Sequence, residues 1–119
     1  MALASTQYAN QALNALDASG SPVNLASHVQ LNTASPGTTG ANEMASSTRQ
    51  ACTWNAAASG SKTNSSALTF TNPGTNAATH FSTWSAVSAG TFGIGGALSA
   101  NVTAPTITVA AGALTISAS

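Results

Sequence analysis

Few side chains in this sequence could do chemistry. The acids are Asp17 and Glu43, the strong bases Arg49 and Lys62, the imidazoles His28 and His80, and the thiol Cys52. Asp17 closes a predicted helix and Glu43 closes a loop, so nothing in their spacing makes them a general acid–base pair. The two histidines have no acid or thiolate at metal-ligand spacing, which speaks against a zinc site. Cys52 alternates with Gln50 and Trp54 and reads as a small core residue rather than a nucleophile. Being the single cysteine, it can form no internal disulfide, which fits synthesis in a reducing compartment. His80 and Trp84 share one face of a predicted strand and read as rings packed on a sheet and bonded to backbone. Gly90, Gly93, Gly95 and Gly96 fail the dinucleotide fingerprint, because the third position after Gly93-Ile94-Gly95 falls on Leu98 and no helix follows. They read instead as bulges or close backbone approaches in a strand. Asn64-Ser65-Ser66 and Asn101-Val102-Thr103 match glycosylation sequons, which mean little without an export signal. The expectation is a protein with no catalytic residue, no cofactor and no metal.

One pair stands apart. Glu43 and Arg49 flank a long polar loop in a chain with almost no other charge. An exposed ion pair contributes only ~0–1 kcal/mol. An acid and a base kept at one loop therefore suggest a latch that fixes orientation at an interface.

The loop itself, about 33–47, organises the chain. It begins where an alternating segment ends and has no alternation of its own. Pro36-Gly37 is a strong turn dipeptide and Gly40 a second pivot, while Asn32, Thr33, Ser35 and Asn42 can bond nearby backbone. Ordering its backbone costs ~1–2 kcal/mol per residue, and its small side chains cannot repay that by burial. Either its own sheet or a neighbouring chain must hold it. Pro36, Gly37, Gly40, Glu43 and Arg49 are the candidate contact residues, with Tyr8 from the N-terminal segment.

Around that loop the pattern is mainly β. Ser5–Ala18 reads as a short helix with an apolar stripe of Tyr8, Ala9, Ala12, Leu13 and Leu16, stopped by Gly20 and Pro22. Leu25–Asn32 alternates as a strand with one wet side: Leu25, Ser27, Val29 and Leu31 oppose Ala26, His28 and Gln30. Thr48–Asn55 alternates with Gln50, Cys52 and Trp54 together, and Thr63–Thr71 points Ser66, Leu68 and Phe70 inward. Ala77–Ser85 carries large groups on both faces, which implies that another element or another chain covers the second. After a break at Ala89-Gly90 come Leu98–Val102, a strand opened by Pro105 with Ile107 and Val109, and a last one with Leu114 and Ile116. Seven or eight short strands in a single 1–119 domain predict one antiparallel β-sandwich, with Phe70, Phe81, Ile107 and Ile116 buried.

Composition removes several functions. Two strong bases cannot neutralise a run of phosphates, so no nucleic-acid partner is expected. There is no basic stripe for an anionic membrane surface and no apolar run near the ~20 residues of a spanning helix. The first residues hold no Lys or Arg, so no export signal is expected. A formal net charge of zero protects poorly against association. The chain reads as part of an assembly, as a homo-oligomer.

Several runs carry a resemblance. Leu31-Asn-Thr-Ala-Ser-Pro-Gly-Thr-Thr-Gly-Ala-Asn-Glu43, Arg49-Gln-Ala, Thr53-Trp54-Asn-Ala-Ala-Ala-Ser-Gly60 and Ala67-Leu-Thr-Phe70 resemble a family of small virion proteins of actinobacterial tailed phages. Thr79-His80-Phe81, Trp84-Ser85-Ala86, Gly90-Thr-Phe92, Gly95-Gly-Ala-Leu98 and Ala110-Ala-Gly-Ala-Leu-Thr-Ile116 extend it over nearly the whole chain. Relatives often carry an aromatic just before the Arg, where this chain has Ser47-Thr48, so no such contact at Arg49 is implied. The resemblance implies a non-enzymatic virion structural protein, labelled tail-fibre-like, minor tail or head decoration, assembled in the host cytoplasm. Capsid decoration leads, because a compact, uncharged β-domain suits packing on a lattice. Its partners would be the major capsid protein or tail proteins. The alternative is a tail or tail-fibre component contacting the host surface. Were a surface glycan the target, Tyr8, Trp54 and Trp84 would be the available stacking platforms.

Overall fold

The computed structural model describes residues 24–73 and 76–117. The expected helix over Ser5–Ala18, Tyr8 with it, lies outside them. Eight strands follow in order: β1 (His28–Asn32), β2 (Gln50–Ala51), β3 (Ser61–Thr63), β4 (Leu68–Thr71), β5 (Ala78–Trp84), β6 (Phe92–Val102), β7 (Thr106–Val109) and β8 (Thr115–Ser117). All pairings are antiparallel. The strands divide into a four-stranded sheet ordered β2-β1-β5-β6 and two ribbons, β3-β8 and β4-β7. The single sandwich of the sequence reading thus resolves into three sheets around one core.

The ribbons show how so few large side chains close that core. In β4-β7, Leu68 lies opposite Val109 and Phe70 opposite Ile107, all buried, while Thr69 faces Thr108 and Thr71 faces Thr106 on the exposed side. In β3-β8 the buried pair is Lys62 and Ile116. These inward residues meet Val29, Leu31 and Phe81 of the central sheet, with Met44, Trp54 and Leu114 from the connections. Phe70, Phe81, Ile107 and Ile116 are all buried, as the alternation predicts.

The strand limits differ from the sequence pattern in several places. β1 starts at His28, and Leu25 sits in the turn before it. Nor does β1 have a wet side: Gln30 and Asn32 are as buried as Val29 and Leu31, because a connection folds over the second face. Thr48–Asn55 shrinks to the two residues of β2, with Gln50 only half-buried. There the chain leaves β1: the Trp54 indole Nε1 donates to Ala26 O (2.9 Å), and Trp54 bridges to Asn64. Thr63–Thr71 breaks into β3 and β4, leaving Ser66 exposed. The cause is Asn64, fully buried. Its amide donates to Ser66 O (2.9 Å) and Ala110 O (3.1 Å) and accepts from Leu114 N (2.9 Å), replacing the ladder with side-chain bonds.

β6 begins at Phe92, ahead of the expected Leu98–Val102, and takes in the glycine-rich stretch; its pairing with β5 slips twice. Ser82 pairs with Gly95 but Trp84 with Phe92, and the spare Ile94 N donates to Thr83 Oγ1 (2.9 Å). His80 pairs with Ala97 but Ala78 with Val102, so Leu98–Asn101 leave the register. A side chain at Gly95 would overlap the Pro36 ring, which marks it as a close approach between strand and loop.

Candidate functional site

The organising loop does not project from the fold. It runs back along β1: Thr33 N donates to Asn42 O (3.0 Å), Met44 N to Leu31 O (3.0 Å), and Glu43 bridges Asn32. Inside it, Gly40 N and Ala41 N both donate to Pro36 O at 3.0 Å, closing the turn that Pro36-Gly37 begins. Gly37 is exposed, with φ +61°. Pro36 is buried towards Gly95, and Met44 is fully buried. The cost of ordering this loop is therefore met within the chain.

Its floor is Trp84. Gly40, at φ +79°, lies so close that an added Cβ would sit 2.6 Å from the indole ring. Phe92 packs edge-on to Trp84 with ring centroids 5.5 Å apart. The indole Nε1 donates to Ser82 Oγ (2.9 Å), Ser82 Oγ donates to Asn32 Oδ1 (2.8 Å), and Asn32 Nδ2 donates to Ala41 O (3.0 Å). This relay links the sheet to the loop through buried side chains, where an unmade bond would be expensive. It also corrects the expected backbone partners of the rings: Trp84 bonds a serine hydroxyl, and His80 Nδ1 pairs with Thr79 Oγ1 (2.8 Å). The second face of β5 is covered by the chain's own loop.

Arg49 also packs on the ring. Its guanidinium lies 3.7 Å from the Trp84 ring centroid. Nε donates to Glu43 Oε1 (2.8 Å) and Nη2 to Glu43 Oε2 (3.1 Å), a two-pronged pair. Nη1 donates to Ala86 O (3.0 Å) and Ala89 O (2.6 Å), both in the connection between β5 and β6. The Arg49 side chain is 8% exposed and that of Glu43 31%. Within the chain the pair forms a clamp, holding the organising loop, the indole and the β5–β6 connection together. The aromatic beside Arg49 comes from β5, far from it in sequence.

Beside the clamp lies an open depression of about 370 Å³, lined by Glu43, Met44, Ser47, Arg49 and Val87 among others. Its two charges are paired with each other, so it presents polar groups without net charge. Ser47 Oγ, buried at this wall, has no hydrogen-bond partner among the described residues. His28 Nδ1 pairs with Ser27 Oγ (2.9 Å), outside this depression. Among the described residues, no three of His, Cys, Asp and Glu come together.

Of the sequence-predicted contact residues, Pro36, Gly37, Gly40, Glu43 and Arg49 therefore belong to one loop-and-clamp unit, and Tyr8 lies outside the described residues. Trp54 and Trp84 are both buried and are not open stacking platforms. Asn32 bonds the loop backbone as the sequence suggests, whereas the buried, backbone-bonding roles of Asn64 and Asn72 were missed. Asn72 Nδ2 donates to Asn76 O (2.8 Å) and Ala104 O (3.0 Å), and its Oδ1 accepts from Ser46 Oγ (3.0 Å). A signal was present: each asparagine ends or directly follows a strand, where its amide can bond the turn that follows.

Two comparisons with known proteins bear on this unit. No curated protein matches the chain. A family model does, over residues 3–117, and its description is podophage GP4 fiber I protein gp80.

Proposed function

The chain belongs to the family of the podophage GP4 fiber I protein gp80, and from that premise we propose that it is a non-enzymatic structural component of a phage tail fibre. The observation that carries this reading is the length of the match, which takes in the organising loop, the clamp and all eight strands. The membership supports a virion protein of fibre type. It lends nothing to capsid decoration, which the sequence reading put first, and it favours the tail or tail-fibre alternative. Nor does it carry the narrower link to actinobacterial phages.

The geometry suits a structural role. Much of the loop's backbone is bonded within the chain, and Arg49, the strongest donor set near it, is committed to Glu43, Ala86 and Ala89. Such a unit supplies a rigid surface. Tail proteins and further copies of this chain are the partners this reading requires. Separating heads from tails of disrupted particles and quantifying the chain by mass spectrometry tests it. Enrichment with tails supports the proposal; enrichment with empty heads would restore capsid decoration.

A further inference from the structure

Ser47 Oγ is the one side-chain polar atom buried without a hydrogen-bond partner among the described residues, and Ser47 lines the depression of about 370 Å³ beside the clamp. A buried hydroxyl left unbonded is costly, and folded chains rarely carry one without a reason. The backbone at this wall is fixed: Ser47 N donates to Met44 O (3.0 Å), and Ser47 O accepts from Gln30 Nε2 (3.0 Å). The hydroxyl itself can turn between staggered positions, on a residue that is only half-buried. Around it stand Thr48 and Ser88, both exposed and both bearing hydroxyls, and the Glu43 carboxylate, 31% exposed. Each carboxylate oxygen takes one bond from Arg49 and has a lone pair left to accept another. Val87, 52% exposed, adds an apolar wall. The Arg49 bonds to Ala86 O and Ala89 O hold the connection on both sides of it.

We propose that this depression binds a neutral, polyhydroxylated ligand: a single sugar unit of an uncharged carbohydrate. Pockets that hold small molecules run from ~300 to ~1,000 Å³, so this one has room for one ring. Charge decides the ligand class. Glu43 and Arg49 neutralise each other, so an anion meets a guanidinium already committed and a cation meets a carboxylate already committed. Either would have to break the clamp or leave its charge poorly paired. A ring hydroxyl needs neither. It donates to the remaining lone pair of a carboxylate oxygen, a charge-assisted bond, and exchanges bonds with Thr48 and Ser88. Ser47 Oγ turns to meet it and gains the partner that the chain does not supply. The C–H face of the ring packs on Val87. The clamp orders these walls in advance, so binding demands little rearrangement. The depression is open, so one sugar unit is held at a Kd of ~1–10 mM, and firm attachment takes several copies acting together. The inference deepens the fibre reading and rests on it for its setting, contact with carbohydrate outside the particle.

Amide NMR of the purified full chain tests the proposal, in titrations with glucose, galactose and mannose and with the uronic acid and 2-amino derivative of each. At least one neutral sugar should shift the Ser47, Thr48, Ser88 and Ala89 amides at a Kd of ~1–10 mM. The uronate and the amino derivative of that sugar should bind about tenfold more weakly. Ser47→Ala should weaken binding about fivefold, the worth of one hydrogen bond, yet melt no lower than wild type, because the free chain loses no bond. Val87→Ser, at an exposed position, should also weaken binding at an unchanged melting temperature. Neutral sugars that shift none of these amides up to tens of millimolar overturn the proposal. So do shifts that fall elsewhere, a charged derivative that binds as tightly as its parent, or a Ser47→Ala chain that binds unchanged or melts lower. A chain found on tails that binds no sugar loses this site and leaves the fibre reading standing. A chain found on heads that binds sugar as described keeps the site and loses the fibre reading.

Discussion

Replacing Arg49 with alanine should cost far more than losing a surface ion pair. The side chain is 8% exposed, spans both Glu43 oxygens, bonds two backbone carbonyls and covers the Trp84 face. Each charge-assisted bond is worth ~1.5–3 kcal/mol at full burial. Glu43 is 31% exposed and Ala89 lies at the surface, so water recovers much of that on their side. The stacked guanidinium adds ~1–2 kcal/mol when desolvated. The sum is a loss of ~3–4 kcal/mol, against ~0–1 kcal/mol for an exposed pair. In a domain of this size that lowers the melting temperature by roughly 12–16 °C. Urea unfolding followed by tryptophan fluorescence measures it, since Trp84 lies under the guanidinium. Arg49→Lys keeps the charge but not the fork and should recover less than half of the loss. Amide exchange should rise across the clamped connection, at Ser85 N and Thr91 N, which the Thr91 carbonyl and the Ser85 hydroxyl now protect. A loss below ~1 kcal/mol for Arg49→Ala, with exchange unchanged, would refute the clamp and reduce the pair to a surface contact.

Other substitutions probe other parts of the same scheme. Asn64→Ala removes the partner of Leu114 N and of Ser66 O and one of the two donors to Ala110 O, and should cost ~2–4 kcal/mol in a denaturation curve. Phe81→Ala or Phe70→Ala should cost ~3–5 kcal/mol by the same measurement, since both rings are fully enclosed. Gly40→Val combines a left-handed φ with an overlap on the indole, so its melting temperature should fall further than that of Gly37→Val, where nothing lies within 4 Å. Retention of the chain on purified particles should survive washing in molar salt, because four formal charges cannot supply most of the attachment.

Period-two alternation located most strands, because large inward residues recur against small polar ones. Ile107 and Val109 against Thr106 and Thr108 form the clearest case. The break at Ala89-Gly90 was also legible: both residues take positive φ, 53° and 74°. Alternation failed where a buried asparagine took over the backbone bonds, since it reports which residues are apolar and not where a ladder stops. Asn64 divides Thr63–Thr71 for that reason. Lys62 was unreadable too: a lysine closing the Ser59-Gly60-Ser61 loop signals a solvated position, yet here it is buried opposite Ile116. In the site, the loop and the Glu43–Arg49 pair could be read from local chemistry. Trp84 as their floor could not, because it reaches them through the pairing of β5 with β1, and no short-range pattern encodes that pairing.

A component of a tail fibre belongs at the tail end of the particle. Gold-labelled antibody against the chain, applied to intact particles and viewed by electron microscopy, tests it most directly. Gold confined to the tail fibres, with the head surface bare, is the expected result. Gold spread evenly over the head, with the tail unlabelled, would contradict it.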